Sequence, residues 1–319
     1  MRLRFPEVGA GGRLYESVYA VLVHPDQPRA LWLRTTVQKR PGQAAMGALW
    51  VTWFDEAGVK AGKLTGLSAV PVDEGLECGP ARQGPDGTRG SIDLDSLAAT
   101  WDISFTPRAQ PLEHLAPAVL YRAPLPRTKA TSPVPDLGAS GDLAVDGTAV
   151  DLAGWTGMLG HNWGTEHAAR WIWLRAGGLG EDGSGWLDAV LARVRVGPAL
   201  TPWTGFGALT LDGERHRLGG LLSRGTRVEL LAEGARVMLT GRGIRVGCHA
   251  TVALTSTVGW EYADPGGHRH EVVNCSVATT RADVEQAGRR VELQPDRRGV
   301  LEVGGDTRAF DVPLQPFAD

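Results

Sequence analysis

Apolar and polar residues alternate along most of this chain with a period of two, the spacing of strands that bury one face. Leu14 to Val23 opens the series. Ala30 to Gln38 and Gly47 to Phe54 follow, with Pro25-Asp26 and Asp55-Glu56-Ala57-Gly58 as turns. Gly75 to Cys78, Gly90 to Leu94, Thr100 to Thr106 and Leu115 to Arg122 continue the pattern, and Gly84-Pro85-Asp86-Gly87 is a hairpin signal. From Ala123 to Gly141 the prolines 124, 126, 133 and 135 read as a semi-rigid connector. Strands resume at Asp142 to Val145 and Thr148 to Leu159, and the series closes at Gly299 to Val303. Helical signals are confined to Arg281–Ala287 and a short turn near Pro111–Leu115. The pattern predicts an all-β protein with two tandem antiparallel barrels, over residues 1–134 and 135–319, joined by the Pro-rich connector.

Composition sharpens this in a few places. The 43 glycines and 20 prolines lie in short clusters, as many turns require. A net charge of -3 with scattered basic residues leaves no footprint for nucleic acid. Cys78, Cys248 and Cys275 lack metal-ligand spacing and fit buried thiols in a reducing compartment. No apolar run approaches the roughly 20 residues of a membrane helix, and Met1 to Glu7 does not read as a signal peptide. The expected location is cytoplasmic, with a peripheral membrane contact still compatible. The 11 tryptophans, against 6 phenylalanines and 4 tyrosines, are the unusual number. Indoles suit the lining of a cavity for a bulky apolar ligand, and equally the filling of a wide barrel.

Candidate chemistry gathers in Gly154 to Arg175. Strand phase puts Trp171, Trp173 and Arg175 on one face, and Gly160 and Gly164 bracket a kinked His161-Asn162-Trp163 corner. That corner either transfers protons and stacks on a substrate or satisfies bent backbone and caps a barrel. Asp188 shares a face with Trp186 and Val190; burial raises its pKa, or an ion pair with Arg175 or Arg34 lowers it. Glu166 and His167 follow the kink as acid or base candidates or as solvated loop residues. Arg34, beside Trp32, suits an acidic head group or a stacked ring, or points outward. Lys129 in the connector is expected to be exposed. His268 and His270 have zinc-compatible spacing but no third ligand nearby in sequence, and no cofactor or metal site is expected.

The run His161-Asn162-Trp163-Gly164 followed by Trp171-Ile172-Trp173 resembles the Asn-Trp-Gly and Trp-x-Trp signature of tocopherol-cyclase-like proteins. It is also similar to the Asp-His-x-Trp-Gly motif of carotenoid 1,2-hydratase (hydroxyneurosporene synthase) and the AttH-like proteins grouped with it. Tyr262-Ala263-Asp264-Pro265-x-Gly267, Tyr15-Glu16-x-x-Tyr19 and Leu31-Trp32-Leu33-Arg34 fit the same group. The resemblance implies a double calycin-like fold, two lipocalin-type barrels in tandem. It also implies proton-initiated hydration or cyclisation of an isoprenoid double bond, with proton transfer by His161 and cation stabilisation by Trp163. Gly160 stands where the hydratase motif has its aspartate, so Asp188 or Glu166 would have to supply the acid. The expected function is a cofactor-free hydratase, cyclase or isomerase acting on an isoprenoid, polyketide-like or lipid substrate. Trp32, Arg34, Asn162, Trp171, Trp173, Arg175, Trp186 and Tyr262 would line its pocket. The alternatives are a hydrophobic-ligand carrier without catalysis and a purely structural pair of barrels.

Overall fold

A computed structural model describes residues 1–221, 223–293 and 298–317. The chain is almost wholly β. In order it forms β1 (Leu14–Val23), β2 (Ala30–Lys39), β3 (Met46–Asp55), β4 (Gly58–Leu67), β5 (Ala69–Val72), β6 (Gly75–Cys78) and β7 (Ala81–Gly84). Then come β8 (Gly87–Leu94), β9 (Leu97–Pro107), β10 (Leu112–Glu113), β11 (Thr128–Val145), β12 (Thr148–Ala149) and β13 (Thr156–Gly164). These make one antiparallel sheet in the order β4-β3-β2-β1-β13-β11-β9-β8-β7-β6-β5, with β10 and β12 paired to β11. Its two ends curl toward each other: a Cβ at Gly47 of β3 would lie only 2.4 Å from the Cys78 sulfur of β6.

The second sheet uses β14 (Arg170–Leu179), β15 (Gly185–Arg193) and, after a hairpin of β16 (Arg195–Val196) and β17 (Ala199–Leu200), β18 (Thr204–Leu211) and β19 (Glu214–Gly219). It continues with β20 (Arg227–Leu231), β21 (Gly234–Gly241), β22 (Ile244–Thr251), β23 (Val258–Ala263), β24 (Arg269–Gln286), β25 (Arg289–Leu293) and β26 (Gly299–Gly304). The path β19-β18-β15-β14-β26-β24-β22-β21 is closed into a barrel by Leu218 of β19 pairing with Gly241 of β21. Turn chemistry fixes the hairpins. Asp212 and Gly213 both take left-handed φ, of 51° and 74°, as the tight link between β18 and β19 demands. Among the described residues, no helix is long and apolar enough to cross a membrane.

Three expectations change. Arg281–Ala287 is not helical: Ala282 and Val284 alternate inward along β24, which is paired on both sides by β22 and β25. Leu115–Arg122 is not a strand, because Pro117 leads into a 3-10 turn at Ala118–Tyr121. The proline-rich stretch is a connector only in its first part, since β11 begins at Thr128. Pro133 and Pro135 fall where the β11–β13 register shifts, between Thr131 and Val134 and between Val134 and Leu137. A proline donates no ladder hydrogen bond, so bulges are where a strand tolerates it. The first sheet therefore runs on to Gly164, and the chain passes to the second over residues 165–169, downstream of the expected 134/135 division.

The strands next to this crossover are buried on both faces, and every residue of β1 is buried. Val18, Ala20 and Leu22 of β1, Leu31 and Leu33 of β2 and Leu159 of β13 fill the first barrel. Their neighbours Tyr19, Val21, Trp32 and Met158 face the opposite way and join the core of the second unit, where Trp32 and Trp50 meet Trp260. Burying such aromatic side chains contributes about 2–3 kcal/mol each, enough to dock the two barrels wall to wall.

Candidate functional site

Where the docked walls leave each other, they enclose an apolar cavity of about 370 Å³. The first sheet supplies Tyr15 and Tyr19 of β1, Trp32 and Arg34 of β2, and Asn162 of β13. The second supplies Trp171 and Trp173 of β14, Val190 and Ala192 of β15, and Tyr262 and Glu302. The 3-10 turn and its flanks add His114, Leu120 and Leu125. Leu125 is 47% exposed and Leu221, also lining, 53% exposed, which marks the open end.

Two histidines border this space, each fixed by a buried carboxylate. His167, on the crossover, stacks on the Tyr15 ring at 3.9 Å and points Nδ1 at Asp264 Oδ1, 2.6 Å away. Asp264 also accepts the His167 backbone N–H at 2.8 Å and meets His270 Nε2 at 2.9 Å. Burial alone would raise Asp264, but the hydrogen bonds from His167 and His270 hold it well below the usual carboxylate range. Burial pushes the His167 imidazole below its ordinary value, with Arg34 and His270 acting in the same direction and Asp264 against them. A neutral ring that donates Nδ1–H to Asp264 keeps its lone pair on Nε2, a buried atom with no protein partner.

The second histidine is His114. Its Nε2 lies 3.1 Å from Ser132 Oγ and 3.4 Å from Asp188 Oδ2, and its buried Nδ1 has no protein partner. Ser132 Oγ donates to Asp188 at 2.6 Å and Trp173 Nε1 donates to it at 3.0 Å. Burial works to raise Asp188, yet His114, Ser132 and Trp173 outweigh it and hold the carboxyl below its ordinary value. Asp188 is thus a carboxylate behind the cavity wall, and it meets His114 where an ion pair with Arg175 or Arg34 was one expectation. Tyr19, Tyr15 and Tyr262 are all raised, by burial first, and remain neutral phenols.

Of the residues singled out in the sequence, Trp32, Arg34, Asn162, Trp171, Trp173 and Tyr262 come together in the cavity wall. His161 and Trp163 do not: odd positions of β13 face the interior of the first barrel. There His161 Nε2 meets Glu16 Oε1 at 2.7 Å and its ring stacks on Trp163 at 4.7 Å. Glu16 also accepts the backbone N–H groups of Arg4 and Phe5, so this pair staples the N-terminal segment to the barrel. Trp186 packs against Leu112 and Ala208, and Arg175 bonds the carbonyls of Pro135 and Gly157. Glu166 pairs with Arg127 in the loop. Lys129 is buried rather than exposed, its ammonium held by the carbonyls of Ala123 and Pro126.

Sequence reasoning passed over His114, Ser132 and Glu302, and quoted Tyr19 only as part of a resemblance, without a place in the pocket. His114 carries no local signal, because its partner Asp188 is brought to it by docking of the two sheets. The Asp264 turn was visible, but its grip on His167 was not. That grip also bears on metal binding: one ligand atom each from His167, Asp264 and His270 lie within 4.8 Å of one another. A divalent ion fits such a donor set, while the three hydrogen bonds already account for the carboxylate without one.

Two antiparallel barrel-like sheets packed side by side make a double calycin-like fold. No family model matches the chain. Two uncharacterized proteins of Mycobacterium tuberculosis are each 30% identical to it over 173 residues, 53% of this chain and 50% of theirs. The chain therefore spans about half the length of the curated relatives it matches. Among solved structures, a candidate AttH of Nitrosomonas europaea aligns with a TM-score of 0.52 at 17% identity, covering 96% of this chain and 97% of that one. Kievitone hydratase of Nectria haematococca aligns with a TM-score of 0.50 at 12% identity, covering 90% and 88%. At such identities these likenesses establish the shared fold.

Proposed function

We propose that the chain is a cofactor-free hydratase-type enzyme acting on a hydrophobic small molecule held between its barrels. The observation that carries this reading is the pair of imidazoles bordering one apolar cavity, each backed by a buried carboxylate. Hydration of a double bond adds a proton to one carbon and hydroxide, derived from water, to the other. It needs one group to give a proton and one to take it. His167, neutral and oriented by Asp264, is the proposed base that accepts the proton from water. His114 is the proposed acid, with Asp188 as counter-ion for the charge its ring carries during turnover. Isomerisation or cyclisation uses the same two groups without net water. The fold shared with a hydratase supports the reading. Isoprenoid, polyketide-like and lipid substrates are all of the right polarity for the lining.

The test is native mass spectrometry of the protein incubated with cell lipid extract, followed by analysis of the released ligand. A product heavier by one water or isomerised, and missing with His167→Gln and His114→Gln, is the expected result. The apolar open end at Leu125 and Leu221 also suits a carrier. Recovery of only unchanged ligand, equally with wild type and both variants, would establish that reading instead.

A further inference from the structure

Arg34 lies in the cavity wall, 4% exposed. Its Nε donates to Ser17 Oγ at 2.8 Å, and its guanidinium sits 3.8 Å over the Tyr262 ring and 5.3 Å from that of Trp50. Among the described residues no carboxylate forms an ion pair with it, and Nη1 is buried with no partner. The cavity's own carboxylate, Glu302, is taken up by Trp171 Nε1, the Tyr262 hydroxyl and Asn274 Nδ2. Aromatic faces offset part of the cost of burying a cation. They do not supply the hydrogen-bonded counter-ion that a buried guanidinium ordinarily has.

We infer that the ligand brings this counter-ion: the site takes an amphiphile with a terminal carboxylate, which lies against Arg34 while the apolar body runs toward Leu125 and Leu221. The inference rests on the cavity as the ligand site proposed above, and not on turnover there. A single guanidinium matches a single negative charge. The other cation in the wall, Lys129, spends its ammonium on two backbone carbonyls, so a dianionic phosphate would find no second partner. A carboxylate also matches the planar fork of the guanidinium, of which Nε is already committed and Nη1 is not.

The test is equilibrium binding to the full chain, followed by quenching of tryptophan fluorescence, with dodecanoate, methyl dodecanoate, dodecanol and dodecyl phosphate as probes. Dodecanoate is expected to bind at least about tenfold more tightly than the ester or the alcohol, the ratio typical of a charge-assisted hydrogen bond. Arg34→Gln should remove that preference by weakening dodecanoate alone, and Arg34→Lys should keep part of it. Unchanged binding of the alcohol and unchanged circular dichroism certify that both variants are folded. Equal affinity for acid, ester and alcohol, an Arg34→Gln variant that keeps the preference, or preference for the phosphate would each overturn the inference. His167→Gln separates this from the hydratase reading. Carboxylate preference without conversion of any ligand sinks the hydratase alone, and conversion of neutral substrates without carboxylate preference sinks the Arg34 site alone.

Discussion

Two of the protein's histidine–carboxylate pairs, of nearly equal length, have their histidines at the two ends of one short stretch of chain. His161 meets Glu16 at 2.7 Å and His167 meets Asp264 at 2.6 Å, and all four residues are largely buried. The first pair sits inside a barrel, and Glu16 spends its remaining capacity on backbone amides. The second sits at a cavity wall with one ring nitrogen unmet. Distance and burial are alike; the carboxylate, the ring nitrogen engaged and the surroundings differ, because His161 points into a barrel from β13 and His167 lies on the crossover beside the cavity. What lies on the far side of each imidazole separates a pair that staples the N-terminal segment from the pair proposed above to move protons.

Substitution can break that comparison. The largest effect is expected at His167, where glutamine should lower turnover by about 10²–10⁴-fold, the range for loss of a general acid or base. Steady-state rates with any substrate found above would check it; a His167→Gln enzyme of wild-type rate would place the chemistry elsewhere. Next is Glu16→Ala, which strands a buried imidazole and two backbone donors and should cost about 3–5 kcal/mol of stability. Denaturant unfolding reads this, and the folded fraction should keep wild-type ligand affinity.

Gly160→Asp restores the motif acid but not its room. A Cβ there would come within 2.2 Å of the Tyr19 ring and 2.5 Å of its hydroxyl. We expect about 1–3 kcal/mol of destabilisation from such overpacking and no gain in turnover. The smallest effect is a pH slope. His167 has its folded pKa depressed, so its stability contribution is complete above the unfolded value of about 6.5 and is lost as pH falls through the folded value. Asp264, also depressed, extends the loss below about pH 4. Melting temperatures between pH 7.5 and 5 should fall less steeply in His167→Gln than in wild type.

Much of the fold was legible from local rules. The β1 and β6 bounds follow from alternation ended by turn residues, and the Gly84–Gly87 hairpin follows from its dipeptides. What failed was equally physical. β4, with glycines at 58, 62 and 66, shows little apolar pattern, and tertiary pairing overrode the helical look of Arg281–Ala287. For the site, strand phase gave the shared faces of Trp32 with Arg34 and of Trp171 with Trp173. It could not tell the inside of a barrel from the outside, so His161 and Trp163 drew the attention that belongs to their neighbour Asn162. His114 with Asp188 and His167 with Asp264 are contacts across the fold, and no local pattern announces them.

One consequence of the doubly buried strands reaches past the cavity. Because β1, β2 and β13 serve as a party wall, neither half of the molecule owns its own outside. Expressed alone, residues 1–164 would present Tyr19, Val21, Trp32, Trp50 and Met158 to water as one continuous apolar surface, which promotes self-association. The two barrels look like modules, yet they are inseparable as objects: each is the other's missing solvent shell.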